Sequence, residues 1–467
     1  MGLCLLAVSL LTTAAISTGQ PAPPTPAPAH RLQIGFFDDP SFRWSSQALK
    51  NLASAENAGA SVIHATANWS VIAPRKPHNP LNGDDPAYRL GDLDSLVRTA
   101  GLYDLQVMIT IDGTPRWANG GQAANHPPRN LATLTTFARM LATRYDGRTG
   151  HGAVTLWSIW NEPNLGLFLM PQFKGKKIVS PAEYVKLFLA GERGIKAANP
   201  QAQVAAGETS NRGRDVPVKG VSAAVAPATF ARLVAAVDPR LPMAAWATHP
   251  YPTSPDLGPT QVVKWPNVTM TQIPRLTTSL RQWFHRPVPI WITEYGEQSK
   301  PQYAHGVSEA QQARDAVTAL KLASHDPAVT MFTWFILRDS PSTWKSGLET
   351  VSGAKKPAYA KFSAAAHAVA GVPETVAAGR NAAITIPVPF LAAHNNAGAL
   401  VAVDYRIRNA QNKLLRTGHA TCRITYDGTL RFVTTFKPLR AQSYSVTVSA
   451  VDEAGLSGTR VVSLSAL

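Results

Sequence analysis

Val154-Thr155-Leu156-Trp157-Ser158-Ile159-Trp160-Asn161-Glu162-Pro163-Asn164 is a short, largely apolar run that ends abruptly in a carboxylate and a proline. Such a run suits a parallel strand covered on both faces. Seven more runs of this texture occur, at Leu32–Phe37, Ser61–Thr66, Gln106–Ile111, Gln203–Gly207, Ala244–Thr248, Val288–Thr293 and Val329–Phe335. Helical stretches separate them, such as Leu93–Tyr103, Leu131–Tyr145, Pro181–Ala198, Pro227–Val237 and Ser308–Ser324, and Ala358–Ala370 closes the series. Ser180 before Pro181, and Ser308 with Gln311 three residues on, read as helix N-caps, the second with its box partner.

Eight strand–helix units across residues 31–371 predict an α/β fold, a (β/α)8 TIM barrel with its working end at the C-terminal ends of the strands. An open doubly wound sheet would carry a glycine-rich phosphate turn after its first strand, and Gly35-Phe36-Phe37-Asp38 is not one. After Gly371 the helical signal stops. Ala383–Val388, Leu400–Ile407, Ala420–Tyr426, Leu430–Phe436, Tyr444–Val451 and Val461–Leu464 read as strands, with turns at Asp427-Gly428 and Asp452–Gly455. Residues 372–467 are therefore expected to form a small immunoglobulin-like β-sandwich.

At the other end, Leu3–Ile16 is an apolar run of signal-peptide length, so residues 1–19 read as a leader and the protein as secreted. No Lys or Arg precedes the run, which leaves an uncleaved anchor as the alternative. Residues 20–30 are a proline-rich linker. Of the two cysteines, Cys4 falls in the leader and Cys422 is left alone in the mature chain, so no disulfide framework exists there.

The 45 Lys and Arg against 29 Asp and Glu leave a formal charge of +16. Apart from Lys174-Gly175-Lys176-Lys177 the basic residues are scattered, with neither phosphate loop nor basic helix, which argues against a nucleic-acid partner. Solubility or attraction to anionic cell-wall polymers remains. No zinc spacing or cofactor motif is present, and a monomer without metal or cofactor is expected.

Glu162 and Glu294, the latter in Ile292-Thr293-Glu294-Tyr295-Gly296, follow the fourth and seventh strand candidates. Taken singly, Asn-Glu-Pro is a common turn. Two carboxyls at opposite sides of one barrel mouth are different: one can protonate a glycosidic oxygen while the other, ionised, attacks the anomeric carbon or activates water. That chemistry expects Glu162 to have the raised pKa and Glu294 to be kept ionised by hydrogen bonds.

From about Ile34 to Phe362 these elements resemble the clan A glycoside hydrolases, most nearly the family of β-xylosidases, α-iduronidases and exopolysaccharide endoglycosidases, or its cellulase-like neighbour. The resemblance implies a retaining glycosidase with Glu162 as acid/base and Glu294 as nucleophile. It further implies Asn161 on the sugar 2-hydroxyl, His249 and Tyr251 of His249-Pro250-Tyr251 beside the nucleophile, and Trp334 as the floor of the cleavage subsite. Trp117, in the third loop, matches a family element that lines the cleft. One departure is His64, in Ser61–Thr66, where many members carry a second-strand arginine. If His64 replaces it, the nucleophile has a titrating neighbour, and activity would fall above neutral pH. The expected partner is a β-linked polysaccharide or oligosaccharide. A non-catalytic carbohydrate-binding barrel and a wall-remodelling transglycosylase are the competing readings.

Overall fold

In a computed structural model of the chain, residues 32–467 are described, except 104, 255, 371–373, 377, 388–398, 425–428, 441, 454–456 and 467. The expected leader and linker, and the proposed boundary at Gly371, lie outside the described residues.

Eight parallel strands close into one barrel: β1 (Gln33–Phe37), β2 (Val62–Asn68), β3 (Gln106–Asp112), β4 (Leu156–Ile159), β5 (Gln203–Ser210), β6 (Ala245–His249), β7 (Ile290–Tyr295) and β8 (Val329–Trp334). Each neighbours the next, and β1 returns to β8 through Gln33 opposite Met331 and Phe36 opposite Trp334. After each strand comes one helix of the outer ring: α1 (Ala48–Asn57), α2 (Gly91–Ala100), α3 (Leu131–Arg144), α4 (Ser180–Ala198), α5 (Pro227–Val237), α6 (Ile273–Trp283), α7 (Glu309–His325) and α8 (Pro357–Ala370). This is the expected (β/α)8 barrel.

Ser308 caps α7 by accepting from the Gln311 backbone N–H, while the Gln311 side chain bonds Asp315 instead of closing a box. Ser180 is not a cap. It sits inside α4, and its hydroxyl donates to Gln172 Oε1 at 2.8 Å.

Side chains alternate along a strand, so every second residue enters the lumen. Val62, Met108, Leu156, Ala205, Ala245, Ala247, Trp291 and Met331 pack together there as one buried apolar cluster. Two residues further along several of the same strands come His64, Thr110, Ser158, His249 and Thr293, all buried polar groups. The lumen thus turns from apolar to polar toward the C-terminal ends of the strands, where a barrel carries its site.

Strand β5 breaks the alternation. Its pairing with β6 slips between Ala206 and Thr209, where Gly207 has φ 101° and Glu208 φ 45°. A Cβ on Gly207 would come within 2.6 Å of the Trp246 ring and 2.7 Å of Ala247 O, so glycine is required at this bulge. Its effect is to place Glu208 in the lumen.

C-terminal to the barrel, the described residues form seven strands: β9 (Glu374–Val376), β10 (Ala383–Pro387), β11 (Leu400–Asn409), β12 (Leu414–Arg423), β13 (Thr429–Val433), β14 (Ser443–Asp452) and β15 (Ser457–Ala466). Five form a sheet in the order β9-β15-β14-β11-β12, and β10 pairs with β13. Buried Val401, Val403, Tyr405 and Ile407 alternate with exposed residues on β11, and share one apolar cluster with Ile384, Leu430 and Phe432 of the smaller sheet. Cys422 is buried and free. No helix among the described residues is long and apolar enough to cross a membrane.

Candidate active site

The turn after β4 is strained. Trp160 and Glu162 both have positive φ, 73° and 37°, a region that non-glycine residues seldom occupy. Surrounding hydrogen bonds hold it: Trp160 Nε1 donates to Phe168 O at 2.7 Å, and the Glu162 N–H to Glu208 O at 3.0 Å. Asn164 ties the same turn to β5, accepting from the Ser210 N–H at 2.9 Å and donating to Val225 O at 2.9 Å. Glu162 is thereby aimed at the mouth from one side, and Glu294, the penultimate residue of β7, from the other.

Between them stands His249, at the end of β6 and fully buried. Its Nδ1 lies 3.1 Å from Glu162 Oε1 and 3.6 Å from Glu294 Oε1, and its Nε2 is 3.1 Å from Thr293 Oγ1. Burial favours the neutral ring, but Glu294 and Glu162 outweigh it and lift His249 to about 9. An imidazolium therefore sits against both carboxyls. Tyr251 donates its hydroxyl to Glu294 Oε2 at 3.0 Å.

Burial pushes the Glu294 carboxyl up to about 7, against the opposing pull of His249 and with help from the Glu162 charge. The sequence reading expected hydrogen bonds to keep Glu294 ionised. Tyr251 supplies one such bond, too little to offset its burial.

A second layer lies beneath the first. His64 Nε2 is 2.6 Å from Thr110 Oγ1, which is 2.8 Å from Ser158 Oγ and 3.0 Å from Glu208 Oε1. His64 Nδ1 faces the Thr293 carbonyl at 3.1 Å. Burial pushes His64 down to about 3, with the backbone contact to Thr293 opposing, and pushes Glu208 up to about 8. His64 is thus neutral and 1% exposed, its ring packed beneath Phe37 at 4.1 Å between centroids. The expectation that it sits in a binding position and titrates beside the nucleophile is wrong: it touches the backbone before Glu294, and a low-dielectric setting suppresses its charge.

Trp334 also departs from its expected place. It occupies the alternate parity on β8 from Met331 and Thr333, is fully buried, donates Nε1 to Ser346 O at 2.8 Å, and packs against Phe362 of α8 at 5.8 Å between ring centroids. It has no face to offer a ligand. The aromatic side of the mouth is made instead by Phe37, Tyr251, Phe335 and Trp344. Phe335 lies 5.4 Å from Phe37, 6.4 Å from Tyr251 and 5.4 Å from Trp344, whose side is 46% exposed.

Trp117 is half-buried, donates to Ala73 O at 2.8 Å and meets Trp69 edge-on. With Tyr88, Phe137 and Lys76 it lines a pocket of about 160 Å³ that contains neither glutamate. Asn161 is half-buried beside Glu162, and its amide makes no hydrogen bond to a described residue. Glu208, Thr110, Ser158 and Phe335 were missed by the sequence reading. A glutamate following a glycine at a strand end was the one available signal.

No family model matches the sequence, and neither does any curated protein. Solved structures do share the fold. A family 39 glycoside hydrolase from Bacteroides cellulosilyticus WH2 superposes with a TM-score of 0.54 at 15% identity, covering 91% of this chain and 81% of that one. A family 39 β-xylosidase from Caulobacter crescentus gives 0.51 at 14% identity, with 87% and 96% covered. A family 5, subfamily 18 protein from Streptomyces cattleya, solved in complex with GlcNAc, gives 0.53 at 16% identity, with 75% and 85% covered.

Proposed function

We propose that the protein is a retaining glycoside hydrolase acting on a β-linked polysaccharide or oligosaccharide. The observation that carries this reading is the single imidazole nitrogen of His249 lying against both Glu162 and Glu294. The two carboxyl oxygens can be no farther apart than the sum of those two distances. That is the short edge of the roughly 6.5–9.5 Å an inverting pair needs to seat a water, and admits the ~5–5.5 Å of a retaining pair.

In the first half-reaction Glu294 attacks the anomeric carbon, the bond to the leaving oxygen breaks, and Glu162 delivers a proton to that oxygen. In the second, a water attacks the anomeric carbon, gives its proton to Glu162, and the Glu294 ester bond breaks to restore the carboxylate. His249 holds positive charge between the two and orients both. Tyr251 fixes the attacking carboxylate through its hydroxyl. Asn161 stands free to meet a substrate hydroxyl, and Phe335 with Trp344 supplies the aromatic face assigned at first to Trp334.

Exposed Arg212 and Arg214 in the loop after β5 give one rim a basic character that suits an acidic polymer. The apolar leader favours a secreted enzyme, and the shared core of the two C-terminal sheets favours a sandwich-like accessory module. Release of reducing ends from neutral and acidic polysaccharides, compared with Glu294→Gln, tests the reading. Release by the parent alone, with retained anomeric configuration by NMR, is expected; equal release by both rejects it.

A further inference from the structure

We infer that Glu208 is a positioning residue for Glu294, acting as an un-ionised carboxyl at the head of a relay that runs through Thr110 and His64 to the backbone carbonyl of Thr293. The inference rests on the reading of Glu294 as the nucleophile. It assigns a role to a third carboxyl that the two-glutamate chemistry does not use.

Proton counting along the relay supports it. The Thr293 carbonyl can only accept, so His64 Nδ1 carries the hydrogen of that 3.1 Å contact. In a neutral ring Nε2 is then bare and needs a donor, and the Thr110 hydroxyl is 2.6 Å away. Thr110 has one hydrogen. Once it is given to His64, the 3.0 Å contact between Thr110 Oγ1 and Glu208 Oε1 requires the hydrogen to belong to Glu208. Glu208 Oε2 makes no hydrogen bond to a described residue although it is buried. A neutral carbonyl oxygen tolerates that position far better than half of a carboxylate would.

Moving one proton gives the competing state, a charged His64 facing an ionised Glu208. Both side chains are 1% exposed and their nearest nitrogen and oxygen are 3.6 Å apart, so that state is an ion pair held almost wholly out of water, where desolvation of both charges opposes it. The titratable groups facing Glu208 are His64 on β2, His249 on β6, Glu294 on β7 and Tyr184 on α4. A negative Glu208 would oppose ionisation of Glu294 from below. Its neutral form fixes the end of β7 across the barrel without adding charge, from a bulge that exists to admit it.

The test uses the full chain and reads the relay apart from turnover. The infrared difference spectrum, parent minus Glu208→Gln, should show a protonated-carboxyl C=O band at pH 6 that bleaches as pH rises through about 8; Glu294 and Glu297, also raised, are common to both proteins and cancel. Nitrogen NMR should show His64 as the neutral Nδ1–H tautomer over the same range. In kinetics, Glu208→Leu should lose on the order of 10²-fold in kcat with KM changed far less, the scale of a nucleophile displaced by about 1 Å. Glu208→Gln, whose amide can still donate to Thr110 but cannot ionise, should recover at least roughly tenfold of that loss and lack the alkaline inflection near pH 8. A cationic His64, a missing band, or equal losses in Leu and Gln variants would overturn the inference. If Glu208→Leu fails to fold, the band and the tautomer decide. An active Glu294→Gln would sink the nucleophile reading instead, with the proton signatures of the relay still standing.

Discussion

Two histidine–glutamate groups stand one above the other in this barrel, and they have opposite charge states. In the upper group His249 lies against Glu162 and Glu294, and is held cationic with a pKa near 9. In the lower one His64 and Glu208 are pushed to about 3 and about 8, both toward the neutral form. The residue types are the same, and the difference is access. Side chains of Glu162 and Glu294 are 16% and 12% exposed, whereas His64 and Glu208 are each at 1%. A buried charge survives when a partner touches it and part of the pair meets water; otherwise the group discards its charge. The upper layer is therefore equipped for chemistry and the lower for alignment.

The largest effects should come from the upper carboxyls. Glu294→Gln should cost on the order of 10⁴-fold in kcat, and Glu162→Gln roughly 10²–10⁴-fold, the range for losing a general acid. Reducing-end assays near neutral pH measure both. A loss below tenfold in either would make the charged layer structural and erase the contrast.

His249→Asn tests the contrast more finely. Without the imidazolium, Glu294 loses the group that opposes its burial, so its pKa should climb above about 7. In the proposed mechanism the ionised form attacks, so the acid limb of kcat/KM should move to higher pH, with a loss of roughly 10²-fold at pH 6 that shrinks as pH rises. An acid limb left in place would mean that His249 does not set the charge of the mouth. Tyr251→Phe should act in the same direction and more weakly, about tenfold in kcat/KM, because it removes one neutral donor from Glu294 Oε2.

The upper layer was legible because its residues lie in contiguous strings at strand ends, where Trp-Asn-Glu-Pro-Asn, Thr-Glu-Tyr-Gly and His-Pro-Tyr stand beside a run that already reads as a strand. The lower layer is scattered over β2, β3, β4 and β5, with no local pattern. Glu208 was hidden for a specific reason: Gly207 reads as the end of a strand, and only the bulge continues β5 to Ser210 and turns the glutamate inward. Trp334 failed by parity, since a tryptophan one residue out of phase with Thr333 goes to the helix side, against Phe362. In the C-terminal region, alternation along Tyr444–Ser449 was readable because Tyr444, Val446 and Val448 are buried on one face of β14. Pairing of the two sheets was not, because cross-sheet contacts such as Tyr405 on Phe432 join distant segments.

The smallest effect separates the layers by stability alone. His249 gains affinity for its proton on folding, so its contribution is fully present below about 6.5 and is lost as pH rises through about 9. Thermal melts of His249→Asn should therefore fall below the parent at pH 6, and the gap should close as pH approaches 9. Glu208 is a carboxyl whose folded value is raised from about 4.5 to about 8, so keeping it neutral costs increasing stability as pH climbs through that window. Glu208→Gln should gain on the parent between pH 5 and 8, by roughly 2–4 °C for each kcal/mol or less in a chain this long. The two variants thus move in opposite directions at their most sensitive pH, one losing a charge the fold uses and the other losing a charge the fold suppresses. Parallel shifts would mean that the two layers titrate as one network.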